Sequence, residues 1–401
     1  MKVAIIGQGY VGLTISAFAG EFFDVVGYDN NQIVVDRLNQ GISHIEGVES
    51  TVLQKWIKSG RYTATKDGSD ISDADIVVIA VPTPLSKDRQ PDMAYIDSAC
   101  KTIGENLKKS ALIINESTSF PGTIRNYIKP AIEKYSAGKF EHLYAISPER
   151  VDPGRGDYNQ KNTPRLYAGL TKDASDQTRE FYSKFCDHLV EVSSPEVAEA
   201  AKLFENTFRQ VNIALVNELA QITNALGISV YETLDAANTK PYGFMKFTPS
   251  AGVGGHCIPV DPTYLAHVAE ELGVPATFIR RANEVNLDMS KYIVDRVQVD
   301  NGGSLQGKSV LVVGVAYKPN VADTRETAAE LVIEELRNRG AVVAWHDDVV
   351  GQWHGENSSV LGGAEITIVV TLHDVVDQKA VLASAPYVFD TTGKVKGAKG
   401  L

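Results

Sequence analysis

Short unbroken apolar runs alternate with amphipathic stretches along this chain, and the texture changes twice. Val3-Ala4-Ile5-Ile6, Val25-Val26-Gly27-Tyr28, Asp75 to Val81, Ala111 to Ile114 and Leu143 to Ile146 read as strands. Runs this short and this apolar suit strands covered on both faces. Helical patterns separate them, which predicts a parallel α/β block. From about Ser194 the strands stop. Pro195 opens a stretch rich in Ala, Leu, Glu, Asn and Val that reaches Leu226 without Pro or Gly, and Gly227 follows. Proline suits a first helical turn and glycine a C-terminal cap. One long helix is therefore expected, serving as a spine between domains or as a dimer seam. More helix is predicted toward Ala237 and from Thr263 to about Val299. A third block begins at Gly307-Lys308, where Ser309 to Val315, Ala341 to Trp345, Ile366 to Val370 and Tyr387 to Phe389 read as strands around a helix from Ala328 to Arg339. The expected fold class is α/β: parallel-sheet domains over residues 1–193 and 301–401, joined by a helical domain over 194–300.

Composition narrows function more than fold. At 401 residues the chain is too long for one core. Its net charge of −11 argues against nucleic acid as a partner, because affinity for a phosphate backbone needs clustered Lys and Arg. No run approaches the ~18 apolar residues of a membrane span, and the chain enters its first strand without a charged and apolar leader. Cys100, Cys186 and Cys257 are too scattered for a disulfide framework or a zinc site. That usage fits a reducing cytoplasm, and no metal is expected.

The first specific signal is Gly7-Gln8-Gly9-Tyr10-Val11-Gly12, set between a strand and a helix. A second strand follows and ends on Asp29, roughly 20 residues after the first glycine, as a dinucleotide fingerprint requires. The glycines permit a tight turn and close approach of a pyrophosphate to the helix N-terminus. Asp29 would accept from the ribose hydroxyls and repel a 2′-phosphate, which favours NAD over NADP. Both sheet domains are accordingly expected to be Rossmann-like. The segments after the later strands, Pro82-Thr83-Pro84, Glu116-Ser117-Thr118 and Ser147-Pro148-Glu149, lie where an open parallel sheet binds its ligands.

Two further constellations lie in the helical middle. The glycine-rich segment Ser250 to Pro262 carries Cys257 with Asp261 four residues on. Glycines there would let a ligand approach the backbone, and their N–H groups suit anionic oxygens. The segment alone leaves two readings of Cys257, a presented thiol or a buried structural one. Lys202 and Asn206 stand one helical turn apart, so two donors, one cationic, share a helix face. That is what a developing oxyanion needs, and also what an ordinary polar face looks like. The third block lacks the full glycine fingerprint, and its Tyr317-Lys318 and Arg325 place cations beside a strand end. A smaller nucleotide than NAD suits it.

Taken in order, Gly7 to Gly12, Ser147-Pro148-Glu149-Arg150, Lys202-Leu203-Phe204-Glu205-Asn206, Gly254-Gly255-His256-Cys257-Ile258-Pro259-Val260-Asp261-Pro262 and Tyr317-Lys318-Pro319 resemble the UDP-sugar 6-dehydrogenases. The likeness is to the branch acting on UDP-N-acetylhexosamines. The UDP-glucose branch usually has Gly-Gly-Ser-Cys-Phe with a lysine before the aspartate, and Asn-Pro-Glu-Phe-Leu-Arg-Glu. Here Val260 stands at the lysine and Pro153 at the second glutamate.

The resemblance implies two successive NAD-dependent oxidations of a sugar C6 alcohol to a carboxylate. Cys257 would be the nucleophile, Lys202 and Asn206 would stabilise the tetrahedral oxygen, and Asp261 and Glu149 are candidates for general-base work on water. Thr118 would sit near the nicotinamide or position a water. The NAD site would use Gly7, Gly9, Tyr10, Val11, Gly12, Asp29, Thr83, Thr118 and Arg325. The UDP-sugar would lie against Glu149, Arg150, Val151, Asp152, Lys202, Asn206, the loop from Phe247 through Ser250 to Gly254, and Lys318. The family's dimers, built through the central helix, imply a homodimer. Three other readings stay in view: UDP-glucose as substrate, a single-step β-hydroxyacid dehydrogenase, and a non-catalytic sensor of NAD and UDP-sugar.

Overall fold

The computed structural model describes residues 1–45, 47–86, 88–151, 157–255 and 257–401. The chain divides into two compact units, Met1–Phe204 and Glu205–Leu401. The first is built on an eight-stranded sheet: β1 Lys2–Ile6, β2 Asp24–Tyr28, β3 Tyr62–Thr65, β4 Ile76–Ile79, β5 Leu112–Asn115, β6 Leu143–Ile146, β7 Arg165–Gly169 and β8 Leu189–Glu191. Their order is β3-β2-β1-β4-β5-β6-β7-β8, and every neighbouring pair is parallel except β6 with β7. Alternate residues of one strand enter different cores. Val3, Ile5, Ile76, Val78, Leu112 and Ile114 pack on one face, and Ala4, Ile6, Val77, Ile79 and Ile113 on the other. A sheet covered on both faces has no polar side to show, which explains the unbroken apolar runs. The strand order reverses between β1 and β4, the switch point at which such sheets bind nucleotides.

The second unit carries five parallel strands in the order Val342–His346, Ser309–Val313, Ile366–Val369, Tyr387–Asp390 and Lys399–Gly400. The long helix runs Pro195–Leu226 and spans the point where the chain divides. The helix expected from Thr263 to Val299 is two, Asp261–Glu271 and Thr277–Asp300. Gly273 at φ 75° stops the first, and Pro275 lies in the connection, where it bars a continuous helix. Strands β3, β7 and β8, together with Lys399–Gly400, lie outside the runs read from the sequence. β7 begins with a buried arginine, and β8 is mostly exposed, so neither presents an apolar run.

Candidate active site

In the first unit the fingerprint turn is as tight as its glycines allow. Gly7 has φ 92°, and a Cβ on Gly12 would stand 1.8 Å from the Gly7 carbonyl oxygen. Around Gly9 there is open space, at the start of the helix Tyr10–Ala19. Asp29 steadies this turn from the end of β2. One carboxylate oxygen accepts from the Gln8 backbone N–H at 2.9 Å and the other from Asn31 N–H at 2.9 Å. A carboxylate has about four acceptor positions, so each oxygen keeps one for a ribose hydroxyl. Half-buried Tyr10 and Val11 open the helix, and half-buried Thr83 follows β4. Ser117 clamps that β4 loop, accepting from Val81 N–H at 2.9 Å and donating to Val81 O at 2.8 Å. Thr118 comes next and is half-buried. The cradle fits a dinucleotide: bare backbone at a helix N-terminus, a spare acceptor on each Asp29 oxygen, and side chains at two neighbouring strand ends.

Farther along the same edge lies a buried ionic cluster. Arg165 Nη1 donates to Glu116 at 2.8 Å, and Nη2 donates to Glu149 at 3.3 Å. Glu149 accepts on its other oxygen from the backbone N–H groups of Arg150 and Val151, both at 2.6 Å, and also accepts from Gln160 Nε2. Its carboxylate therefore fixes the turn that continues from β6. Arg150 donates to Pro164 O at 2.6 Å, which closes the turn from the other side. Asp152, Pro153 and His256 lie outside the described residues.

Lys202 is half-buried on the long helix, one turn before Asn206. In the second unit, Cys257 is exposed, whereas Cys100 and Cys186 are buried and have their thiols pushed up to about 12 and about 11 by burial. The Cys257 carbonyl accepts from Val260 N–H at 3.2 Å and Asp261 N–H at 2.8 Å, so the cysteine is fixed at the entrance to the helix Asp261–Glu271. Buried Asp261 accepts from Asn206 Nδ2 at 2.5 Å, which ties this loop to the long helix. Ser250 N–H donates to Asn217 Oδ1 at 2.9 Å, and Phe247 meets Phe208 edge to face at 6.0 Å.

The glycines of this loop have a different use from the one expected. Gly255 has φ 84°, and a Cβ there would stand 2.8 Å from the Tyr317 ring. One on Gly254 would stand 2.7 Å from Glu326 O. The Gly255 N–H donates to Arg325 O at 3.2 Å, so it is committed within the chain rather than offered to an anion. The chain's own backbone makes the close approach, seating the cysteine loop on the segment 317–326. That segment carries half-buried Lys318 and exposed Arg325, whose guanidinium pairs with Asp323 at 2.5–3.1 Å. Asp347, at the strand position matching Asp29, accepts from Val315, Ala316, Val349 and Val350 N–H and from His373 Nε2. These bonds hold its carboxyl near 2 against burial, and they leave little capacity for a ribose.

The same chain order and chemistry recur in known proteins. The UDP-glucose/GDP-mannose dehydrogenase family matches three successive stretches: its NAD binding domain over residues 1–186, its central domain over 196–288 and its UDP binding domain over 311–397. The chain belongs to this family. It is an NAD-dependent UDP-sugar dehydrogenase with two Rossmann-like sheet domains and a helical middle. Among similar proteins, the UDP-N-acetyl-D-glucosamine 6-dehydrogenase of Pseudomonas aeruginosa is 35% identical over 359 residues, 88% of this chain and 83% of that protein. The UDP-N-acetyl-D-mannosamine dehydrogenase of Pyrococcus horikoshii is 33% identical over 383 residues, 93% of this chain and 90% of its own length. A solved structure of UDP-D-ManNAc dehydrogenase from Pyrococcus horikoshii superposes with a TM-score of 0.90 at 31% identity, covering 100% of this chain and 99% of that one.

Some residues that shape the dehydrogenase's site carry no local sequence signal. Gln8 turns its side chain inward, donating to Ile5 O and Gly7 O at 3.1 Å and accepting from Ser16 and Tyr62 hydroxyls. Its amide fills the space a Gly27 side chain would need, 2.5 Å from that absent Cβ. Glu116, Arg165 and Gln160 likewise meet only through the sheet, from β5, β7 and the segment before β7.

Proposed function

We propose that this dehydrogenase oxidises the C6 hydroxyl of a UDP-N-acetylhexosamine, UDP-N-acetylglucosamine or UDP-N-acetylmannosamine, to the uronate. The observation that carries the reading is the exposed Cys257, held at a helix entrance in Gly-Gly-His-Cys-Ile-Pro-Val-Asp-Pro. The N-acetylhexosamine dehydrogenases among its relatives support the choice of sugar. NAD, when bound at Gly7, Gly9, Tyr10, Val11, Gly12, Asp29, Thr83, Thr118 and Arg325, supplies the hydride acceptor for both oxidations.

The chain's own residues do the rest. Once C6 is an aldehyde, the Cys257 thiolate adds to it, and Lys202 and Asn206 stabilise the oxygen of the thiohemiacetal. Loss of a second hydride leaves a thioester on Cys257. Water, deprotonated by Glu149 or Asp261 with Thr118 in support, adds to the acyl carbon, and the thiolate leaves. Per sugar, two NAD and one water become two NADH, one carboxylate and three protons. Glu149, Arg150, Val151, Asp152, Lys202, Asn206, Phe247, Ser250, Gly254 and Lys318 hold the UDP-sugar, with uridine diphosphate toward the third block. We further propose functional domains over 1–193, 194–300 and 301–401, a homodimer through the long helix and a cytoplasmic location. Among the described residues no helix is long and apolar enough to cross a membrane.

NADH yield per limiting sugar nucleotide tests this reading. Two NADH per UDP-N-acetylhexosamine are expected, with Cys257→Ser stopping before the acid. Two NADH on UDP-glucose alone would move the enzyme to the other branch. One NADH per sugar, or unchanged acid from the serine variant, would remove the thioester.

A further inference from the structure

We propose that Glu116 is a positioning residue for Glu149, setting through the shared guanidinium of Arg165 how firmly that carboxylate is held. The inference rests on Glu149 taking a proton from the hydrolytic water, as proposed above.

Arg165 is 4% exposed and reaches both carboxylates with different nitrogens, Glu116 at 2.8 Å and Glu149 at 3.3 Å. Tyr182 donates its hydroxyl to Glu116, and its ring lies 4.4 Å from the guanidinium carbon. Ser147 Oγ at 3.1 Å, Ser147 O at 3.4 Å and Gln160 Oε1 also accept from the guanidinium. The groups facing Glu116 are thus Arg165 from β7, Glu149 from the turn beyond β6, and Tyr182 and Cys186 from the helix Lys172–Tyr182 and the turn after it.

Two buried carboxylates share one cation, so the cluster is one negative charge in excess when both are ionised. Burial pushes the Glu116 carboxyl up to about 7, against the pull of Arg165 and Tyr182, so its charge changes within the working range of pH. When Glu116 is ionised it competes with Glu149 for Arg165. When Glu116 is neutral, Arg165 holds the Glu149 carboxylate alone. A glutamine at 116 keeps the shape and removes the competing charge.

The test follows decay of the Cys257 acyl-enzyme against pH in single turnover of the intact enzyme, saturated with NAD and UDP-N-acetylhexosamine. Wild-type decay is expected to rise severalfold as pH passes through about 7, where Glu116 gains its charge and draws Arg165 away from Glu149, and Glu116→Gln is expected to remove that step. The KM for the sugar nucleotide should stay within about threefold. Tyr182→Phe, which removes only the hydroxyl donor to Glu116, should move that step to higher pH. It keeps the test open should the glutamine variant fail to fold. A decay profile through pH 7 identical in the wild type and the folded variants would overturn the proposal alone. A wild type that forms no acyl-enzyme would overturn the functional reading, and this one with it.

Discussion

Gln8 stands inside the fingerprint turn, yet its side chain points into the protein and joins Ser16, Tyr62 and the backbone of β1. The fingerprint loop is thereby fixed from behind. Replacing Gln8 by leucine would strip the acceptor from the buried Tyr62 hydroxyl, while Ser16 keeps Gly12 O at 2.8 Å, a loss of ~1–3 kcal/mol in stability. We expect the KM for NAD to rise about tenfold, as ~1.4 kcal/mol of lost loop order implies. The KM for the UDP-sugar should hardly change. Steady-state kinetics with each substrate varied would show it, and equal rises in both constants would contradict the assignment. The fingerprint itself was readable because glycine spacing and an acid at a strand end are local facts. The inward turn of Gln8 was not, since it depends on Gly27 and Tyr62 lying on neighbouring strands. The ionic cluster escaped for the same reason: Glu116 and Arg165 are 49 positions apart and meet only when β5, β6 and β7 line up.

Between elements, Glu199 of the long helix closes the start of another. It accepts from Gly122 N–H at 2.6 Å, Ile124 N–H at 3.1 Å and Ser119 Oγ at 3.3 Å, at the head of the helical segment ending at Tyr135. Three donors would favour the carboxylate, but burial dominates and raises its carboxyl to about 7. The folded value lies above the ordinary 4.5. The native state therefore binds the extra proton between those values, and stability falls as pH rises through that window. A glutamine has no such titration. Its stability relative to the wild type should improve by up to about 3 kcal/mol from pH 5 to pH 8. Urea unfolding of the wild type and Glu199→Gln at both pH values measures this, and a constant difference would refute it. Helix periodicity predicted the long helix, but not what its first turns hold, because a cap across elements leaves no spacing in the sequence. The misjudged helix after Asp261 has a plainer cause: the apolar pattern continues across Gly273 and Pro275 although the backbone turns there.

For the whole molecule, the long helix carries more apolar surface than its own chain covers. Phe208, Leu215 and Ile222 recur every seven residues, 42%, 63% and 49% exposed, and Leu226 extends the row at 67%. The neighbouring face is spent, with Val216 and Ala220 buried in the core of the second unit. A period of seven along a helix keeps its apolar residues on one stripe, the pattern that pairs helices. Isolated surface leucines are ordinary, whereas a row of four on one element is the kind of patch a partner would cover. A second copy of the chain suits it, because one stripe can meet its own image across a two-fold axis. Placing a charge in the middle of that contact should part the copies, since an interface core does not tolerate an unpaired carboxylate. Leu215→Glu should run at half the wild-type mass in light scattering. Its melting temperature should lack the dependence on concentration expected of a dimeric wild type. Asp347, far along the chain from this face, keeps its buried hydrogen bonds in either state, so the separated chain should still fold. A wild type that is already monomeric at micromolar concentration would refute the pairing. A Leu215→Glu variant that stays dimeric would place the seam elsewhere.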